Sequence, residues 1–202
     1  MEYLKQNIIV CRQKYVINMK IKIIVPENEK IKALNLANNI EHSHKIAGNH
    51  TPRLNNRLGC LYTENERGII GEFAFSMLSG LPVDNEIKLK DHGIDFKLPN
   101  GKTIDVKTSH RKSAYSAFNL LIKNTDVEQN SVADYLIHGE IIGENTIIFH
   151  GYTEGKDIKN WEKRPSKLEQ VKFNYVKQAS DMLPLTNLIK IPSNNKNINI
   201  IN

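Results

Sequence analysis

The chain has 202 residues, 40% of them hydrophobic and 25% charged, which matches one globular domain with appended ends rather than two full domains. No apolar run approaches the roughly 18–20 residues of a membrane span, and MEYLKQNIIVCRQKYV lacks the apolar segment of a cleaved leader, so a cytoplasmic protein that binds no membrane is expected. A net charge of +6 favours a polyanionic partner, and two cysteines, Cys11 and Cys60, exclude a cysteine-type zinc site and a disulfide framework.

In chain order, VINMKIKIIVP predicts a strand. PENEKIKALNLANNIEHSHKIAG then predicts a helix from about 27 to 46, with Ile31, Leu34, Ala37 and Ile40 at helical spacing. GNHTPRLNNRLG is a loop that carries Arg53 and Arg57. ENERGIIGEFAFSMLSGLP predicts a second helix, stopped by Gly80 and Pro82. Placed at 100° intervals, its apolar residues from Ile69 to Leu78 cover most of the circumference and leave a gap of Gly68, Glu72, Ser76 and Ser79. Glu72 is thus the one charge in the middle of a nearly apolar helix. Strands are expected in SAFNLLIKN, VADYLIHGEII and NTIIFHGYTEG, irregular structure with short elements over 155–190, and a loose tail or marginal strand in PSNNKNINIIN.

Between the second helix and these strands lies GIDFKLPNGKTIDVKTS, two alternating runs around a turn. A two-residue Asn100-Gly101 loop would pair Leu98 with Thr103 and mix charged and apolar residues on both faces. A three-residue loop, with Pro99 and Asn100 in a type I turn and Gly101 in the left-handed position, separates them. Asp95 then opposes Asp105, Ile94 opposes Val106 and Phe96 opposes Ile104. One face, Ile94, Phe96, Ile104 and Val106, suits a core; the other holds Asp95, Asp105 and Lys107. Two carboxylates about 4 Å apart repel by ~4 kcal/mol at an effective dielectric of 20, a cost that Lys107 or a divalent cation would offset. The plain alternative is a solvated face on which Asp95, Lys97, Asp105 and Lys107 form cross-strand ion pairs.

A glutamate in an apolar helix, an aspartate on one strand and Asp-x-Lys on the next resemble the PD-(D/E)XK nuclease superfamily. GIIGEFAFSMLSGLP, GIDF and IDVKTS carry the likeness, which covers residues 64–152. The resemblance implies an α/β fold with a restriction-endonuclease-like core, a mixed central sheet flanked by helices, over 61–155. Residues 1–60 would be an extension packing on that core, and 156–202 an irregular or helical segment and tail. It also implies a metal-dependent nuclease that hydrolyses phosphodiesters of DNA, more an endonuclease than an exonuclease; the chain's size favours a structure-directed or weakly sequence-specific enzyme of phage or mobile-element type, with a compact restriction enzyme or a junction resolvase as the alternatives. Asp95 and Asp105 would bind Mg2+ or Mn2+, Glu72 would help bind the metal or its water, and Lys107 would be the catalytic lysine. Ile94 stands where the motif has proline, Asp105 takes the Asp option of its acid, and Asp91 is an alternative ligand.

SHRKSAYS offers Arg111, Lys112 and Tyr115 for nucleic-acid contact or, equally, a charged loop; Arg53, Arg57 and Arg67 would extend the same surface. His42, His44 and His50 form an HxH with a third histidine, read as surface histidines rather than a zinc site, and His92 and His110 flank the hairpin. There is no phosphate-binding Gly-x-x-x-x-Gly-Lys-Ser/Thr loop and no Gly-x-Ser-x-Gly elbow. A homodimer would suit double-strand cutting. The competing class is a non-catalytic, basic nucleic-acid-binding module.

Overall fold

Alternation in KIKII produces the first strand, β1 (Lys20–Ile24), with Ile21 and Ile23 buried. The computed structural model describes residues 19–48, 61–86, 93–110, 119–166 and 171–201. Helix α1 (Glu27–Ile46) follows Pro26, with Glu27 and Glu29 in its first turn and His44 and Lys45 in its last, charges that complement the helix dipole. Its inner stripe is Lys30, Ala33 and Ala37, with Leu34 and Ile40 partly buried. Ile31, expected on the core stripe, is 49% exposed, because it lies about 200° around the helix from Ala33.

Helix α2 (Glu64–Ser79) begins in a reciprocal cap: Thr63 Oγ1 accepts from the Glu66 backbone N–H, and the Glu66 carboxylate accepts from the Thr63 N–H. It ends at Gly80, as its sequence predicts, with Gly80 left-handed. Ile69, Ile70, Phe73, Ala74, Phe75 and Leu78 are buried.

The strands form a mixed six-stranded sheet. Beyond β1 they are β2 (Phe96–Lys97), β3 (Thr103–His110), β5 (Tyr135–Ile142), β6 (Thr146–Glu154) and β9 (Ile198–Ile201), in the spatial order β2-β3-β5-β6-β1-β9. Strands β3 and β5 run parallel, and every other neighbouring pair is antiparallel. Ile104, Val106, Ile137, Ile141 and Phe149 join α1 and α2 in the main core, so the helices cover one face. Leu136, whose side chain must point opposite to Ile137, packs instead with Leu120, Ile122, Trp161 and Tyr175. That second cluster belongs to an antiparallel three-stranded sheet, β4 (Asn119–Lys123), β8 (Phe173–Gln178) and β7 (Glu162–Pro165), on the other face. A short helix, α3 (Asn124–Glu128), follows β4. The tail PSNNKNINIIN supplies β9, which pairs with β1.

Candidate active site

The turn between β2 and β3 decides which side chains share a face. Gly101 N–H donates to Leu98 O at 2.9 Å, Leu98 N–H donates to Lys102 O at 2.8 Å, and Gly101 has φ +84°. This is the three-residue loop, and the register follows from it: Phe96 opposes Ile104 and Lys97 opposes Thr103. Phe96, Ile104 and Val106 are buried, as expected. Ile94 is not; it is 44% exposed and borders a cleft. The ladder stops before Ile94 because the Asp95 carboxylate accepts from the Val106 backbone N–H at 2.6 Å, taking the place of a further strand bond.

Asp95 and Asp105 nevertheless border the same cleft. Asp105 is 4% exposed as a residue, and its Oδ2 lies 2.8 Å from Lys107 Nζ. Burying a carboxylate without a partner costs several kcal/mol, so the Lys107 ammonium is what makes this position tenable for an ionised Asp105. The repulsion expected between the two aspartates is met from two sides, by a backbone N–H at Asp95 and by an ammonium at Asp105.

The cleft has a volume of about 630 Å3 and lies where α1, α2, β3 and β4 meet. Glu72 from α2, Asp95, and Asp105 with Lys107 from β3 all line it, as does His138 from β5. Glu72 is brought there by a close approach of α2 to β3 at the preceding residue: a Cβ on Gly71 would overlap Thr108 Oγ1 and sit 2.8 Å from Thr108 Cβ. Further acids, Glu41, Glu64, Asp84, Glu86 and Asp126, border the cleft, against Lys107 and Lys123. The cleft is thus acidic in a protein of net charge +6.

All-carboxylate donors match a hard cation such as Mg2+ or Mn2+ in kind. Among the described residues no group of three or more His, Cys, Asp or Glu side chains is arranged to hold a metal ion. Mg2+ is often held by one or two carboxylates, with water and substrate phosphate completing its shell. Asp95 and Asp105 fit that requirement in kind.

Other sequence candidates are dispersed. Arg53, Arg57, Arg111, Lys112 and Tyr115 lie outside the described residues, as do Asp91, His50, His92 and both cysteines. Arg67 Nη1 donates to Tyr62 O at 2.6 Å, tying the start of α2 to the residue before its cap. His44 borders the cleft, whereas His42 on the same helix is exposed.

Sequence reasoning overlooked a buried polar cluster beside the cleft. His138 (1% exposed), Glu140 (4%) and His150 (5%) sit inside the molecule, with His150 Nε2 at 3.1 Å from Glu140 Oε2 and the two imidazole centroids 5.4 Å apart. His150 is there because the β5–β6 register shifts: His138 opposes Gly151 and Gly139 opposes Phe149, leaving His150 as the extra residue of a bulge. Burial, reinforced by His150, holds His138 down at about 3, so it is neutral at ordinary pH. The available signal was the His-x-Glu at 138 and 140 in an otherwise apolar strand. No protein-family model matches the chain, and no curated protein matches it.

Proposed function

We propose that the protein is a metal-dependent nuclease with a restriction-endonuclease-like core, hydrolysing phosphodiester bonds of DNA as an endonuclease in the cytoplasm. The observation that carries this reading is the convergence of Glu72 from a helix, Asp95 from the residue before β2, and Asp105 and Lys107 from β3 on one cleft, with Asp105 and Lys107 paired at 2.8 Å. Asp95 and Asp105 would hold Mg2+ or Mn2+, whose bound form supplies charge neutralisation of the phosphate and a more acidic water. Lys107, anchored on Asp105 and 42% exposed, would reach the attacking water or a phosphate oxygen. Glu72 lines the same cleft and would orient that water. An acidic cleft repels a phosphodiester, so cation binding and substrate binding should depend on one another.

The test is cleavage of plasmid and single-stranded DNA with Mg2+ or Mn2+. Cleavage abolished by EDTA, and by Lys107→Ala or Asp105→Ala with DNA binding preserved, is the expected result. Undiminished cleavage in both variants would refute the site. RNA in place of DNA tests the substrate, and solution mass tests whether two copies act together.

A second reading has its own observation. Asp95 is engaged with Val106 and Asp105 with Lys107, as a purely structural hairpin would arrange them. On that reading the protein is a non-catalytic nucleic-acid-binding module, and salt-sensitive DNA binding without cleavage under any metal would support it.

A further inference from the structure

Resting on the nuclease reading, we infer that the cleft takes unpaired nucleic acid along a wall built by β4, with Leu121 packed against a base and Lys123 paired with a phosphate. The observation is two exposed apolar side chains at the candidate site. Leu121 is 54% exposed and Ile94 44% exposed, and both line the cleft with Asp95, Asp105 and Lys107. Strand alternation explains Leu121. Leu120 and Ile122 turn inward to pack with Leu136, so Leu121 and Lys123 point the other way and share one face of β4 with Asn119. All three of these line the cleft. β4 itself contributes no acid to it; the lining acids come from the three helices, from β3 and from the chain between α2 and β2.

An exposed leucine gains nothing from a charged phosphodiester. It gains little from the outside of a duplex, where the backbones face out and the base faces are stacked on one another. The flat face of a base is what it can cover, and such a face is open only where the nucleic acid is unpaired or a nucleotide has been drawn out of the stack. Leucine and isoleucine act as wedges of this kind between base steps. The size of the cleft agrees. Its volume of about 630 Å3 lies in the range of pockets that enclose a single small ligand, about 300–1,000 Å3, and a paired helix is too broad to enter it. Leu121 and Lys123 are two residues apart, about 7 Å along the strand. A base held on the leucine therefore leaves the adjoining phosphate within reach of the lysine's flexible stem. Positive charge on this wall thus comes from Lys123 and offsets part of the repulsion that the acids exert on a phosphate.

The experiment measures binding and cutting separately. Fluorescence anisotropy with Ca2+ compares a short labelled single strand with a hairpin duplex on the full chain. Under the proposal the single strand binds about 10-fold or more tighter. Leu121→Thr, which keeps β propensity at an exposed position, weakens single-strand binding by about 5-fold or more and leaves duplex binding unchanged. Lys123→Gln lowers the slope of log affinity against log salt by about 0.7 on the single strand, the share of one phosphate. Ile200→Thr, 53% exposed on β9 and outside the cleft, changes neither. Equal or tighter binding to the duplex, or unaltered single-strand binding in Leu121→Thr, would overturn the inference. Capture of a Lys/Leu-rich peptide, with no oligonucleotide bound at any salt concentration, would overturn it too. Cleavage with Mg2+ or Mn2+ separates the two readings. A wild-type protein that binds as expected but cuts nothing fails the nuclease reading alone; one that cuts single strand and duplex at the same rate, with Leu121→Thr unimpaired, fails this inference alone.

Discussion

Replacing Gly71 with alanine would drive a methyl group into β3 at the point where α2 presents Glu72 to the cleft. The added Cβ would overlap Thr108 Oγ1 and lie 2.8 Å from Thr108 Cβ and 3.3 Å from Cγ2. Rotating Thr108 about χ1 moves Oγ1 but not Cβ, so helix and strand must still part by about 0.6 Å to reach ordinary contact near 3.4 Å. Overpacking of this kind costs about 1–3 kcal/mol, and alanine returns up to about 1 kcal/mol through its better helix propensity. The net expectation is a loss of about 1–2 kcal/mol, or roughly 2–8 °C in Tm for a chain of this size. Urea unfolding of Gly71→Ala, of Thr108→Gly and of the double variant measures it. Thr108 Oγ1 has no hydrogen-bond partner among the described residues, so Thr108→Gly sacrifices no such bond. A coupling of about 1 kcal/mol or more between the two sites is expected, because the second substitution makes room for the first. A Gly71→Ala variant more stable than the parent, with no coupling to Thr108, would refute the close approach and with it the placement of Glu72.

Acid should destabilise the protein through His138. Its site is held at about 3 against an ordinary 6.5, so the native state refuses a proton that the unfolded chain accepts. Its contribution is intact above about pH 6.5 and falls as pH drops toward 3, with about 2 kcal/mol lost by pH 5. His138→Phe should remove that part of the slope in urea unfolding between pH 7 and 5, and an identical slope in both proteins would disprove it. Asp134 works in the same sense, in a more acidic window. Its carboxylate accepts from Lys102 Nζ at 2.6 Å and from the Thr103 N–H and hydroxyl at 3.0 Å, tying the starts of β3 and β5, and Lys102 foremost holds it at about 2. The stabilisation is present above its unfolded value near 3.8 and disappears as pH falls through 2. Since the side chain is 34% exposed, we discount it to about 1 kcal/mol, which Asp134→Asn should lose at pH 7 but not at pH 2. Equal stability at pH 7 would contradict this.

The hairpin shows why part of the site was legible. Pro99, Asn100 and Gly101 each prefer one position in a three-residue loop, and a loop of known length sets the register, so the shared face of Asp95 and Asp105 followed from local chemistry. The extents of α1 and α2 were legible for the same reason, since apolar spacing and Gly80 act within a few residues. Ile94 was misplaced because alternation says which side a residue faces, not where a ladder ends. Its neighbour's carboxylate, bonding to Val106, ended it.

By itself the sequence determined the strand pair that sets two aspartates and a lysine on one side, and the helix that carries Glu72. These depend on turn geometry and periodicity, which are short-range. Whether a polar face meets water or a second layer depends on chain segments far away, and only the tertiary structure decided that. The sheet of β4, β7 and β8 covers the face bearing Leu136, a bulge brings His150 next to His138, and Gly71 lets a helix touch a strand. Long-range packing therefore buried a His-x-Glu that strand periodicity alone did not single out, and set its His138 in the lining of the cleft.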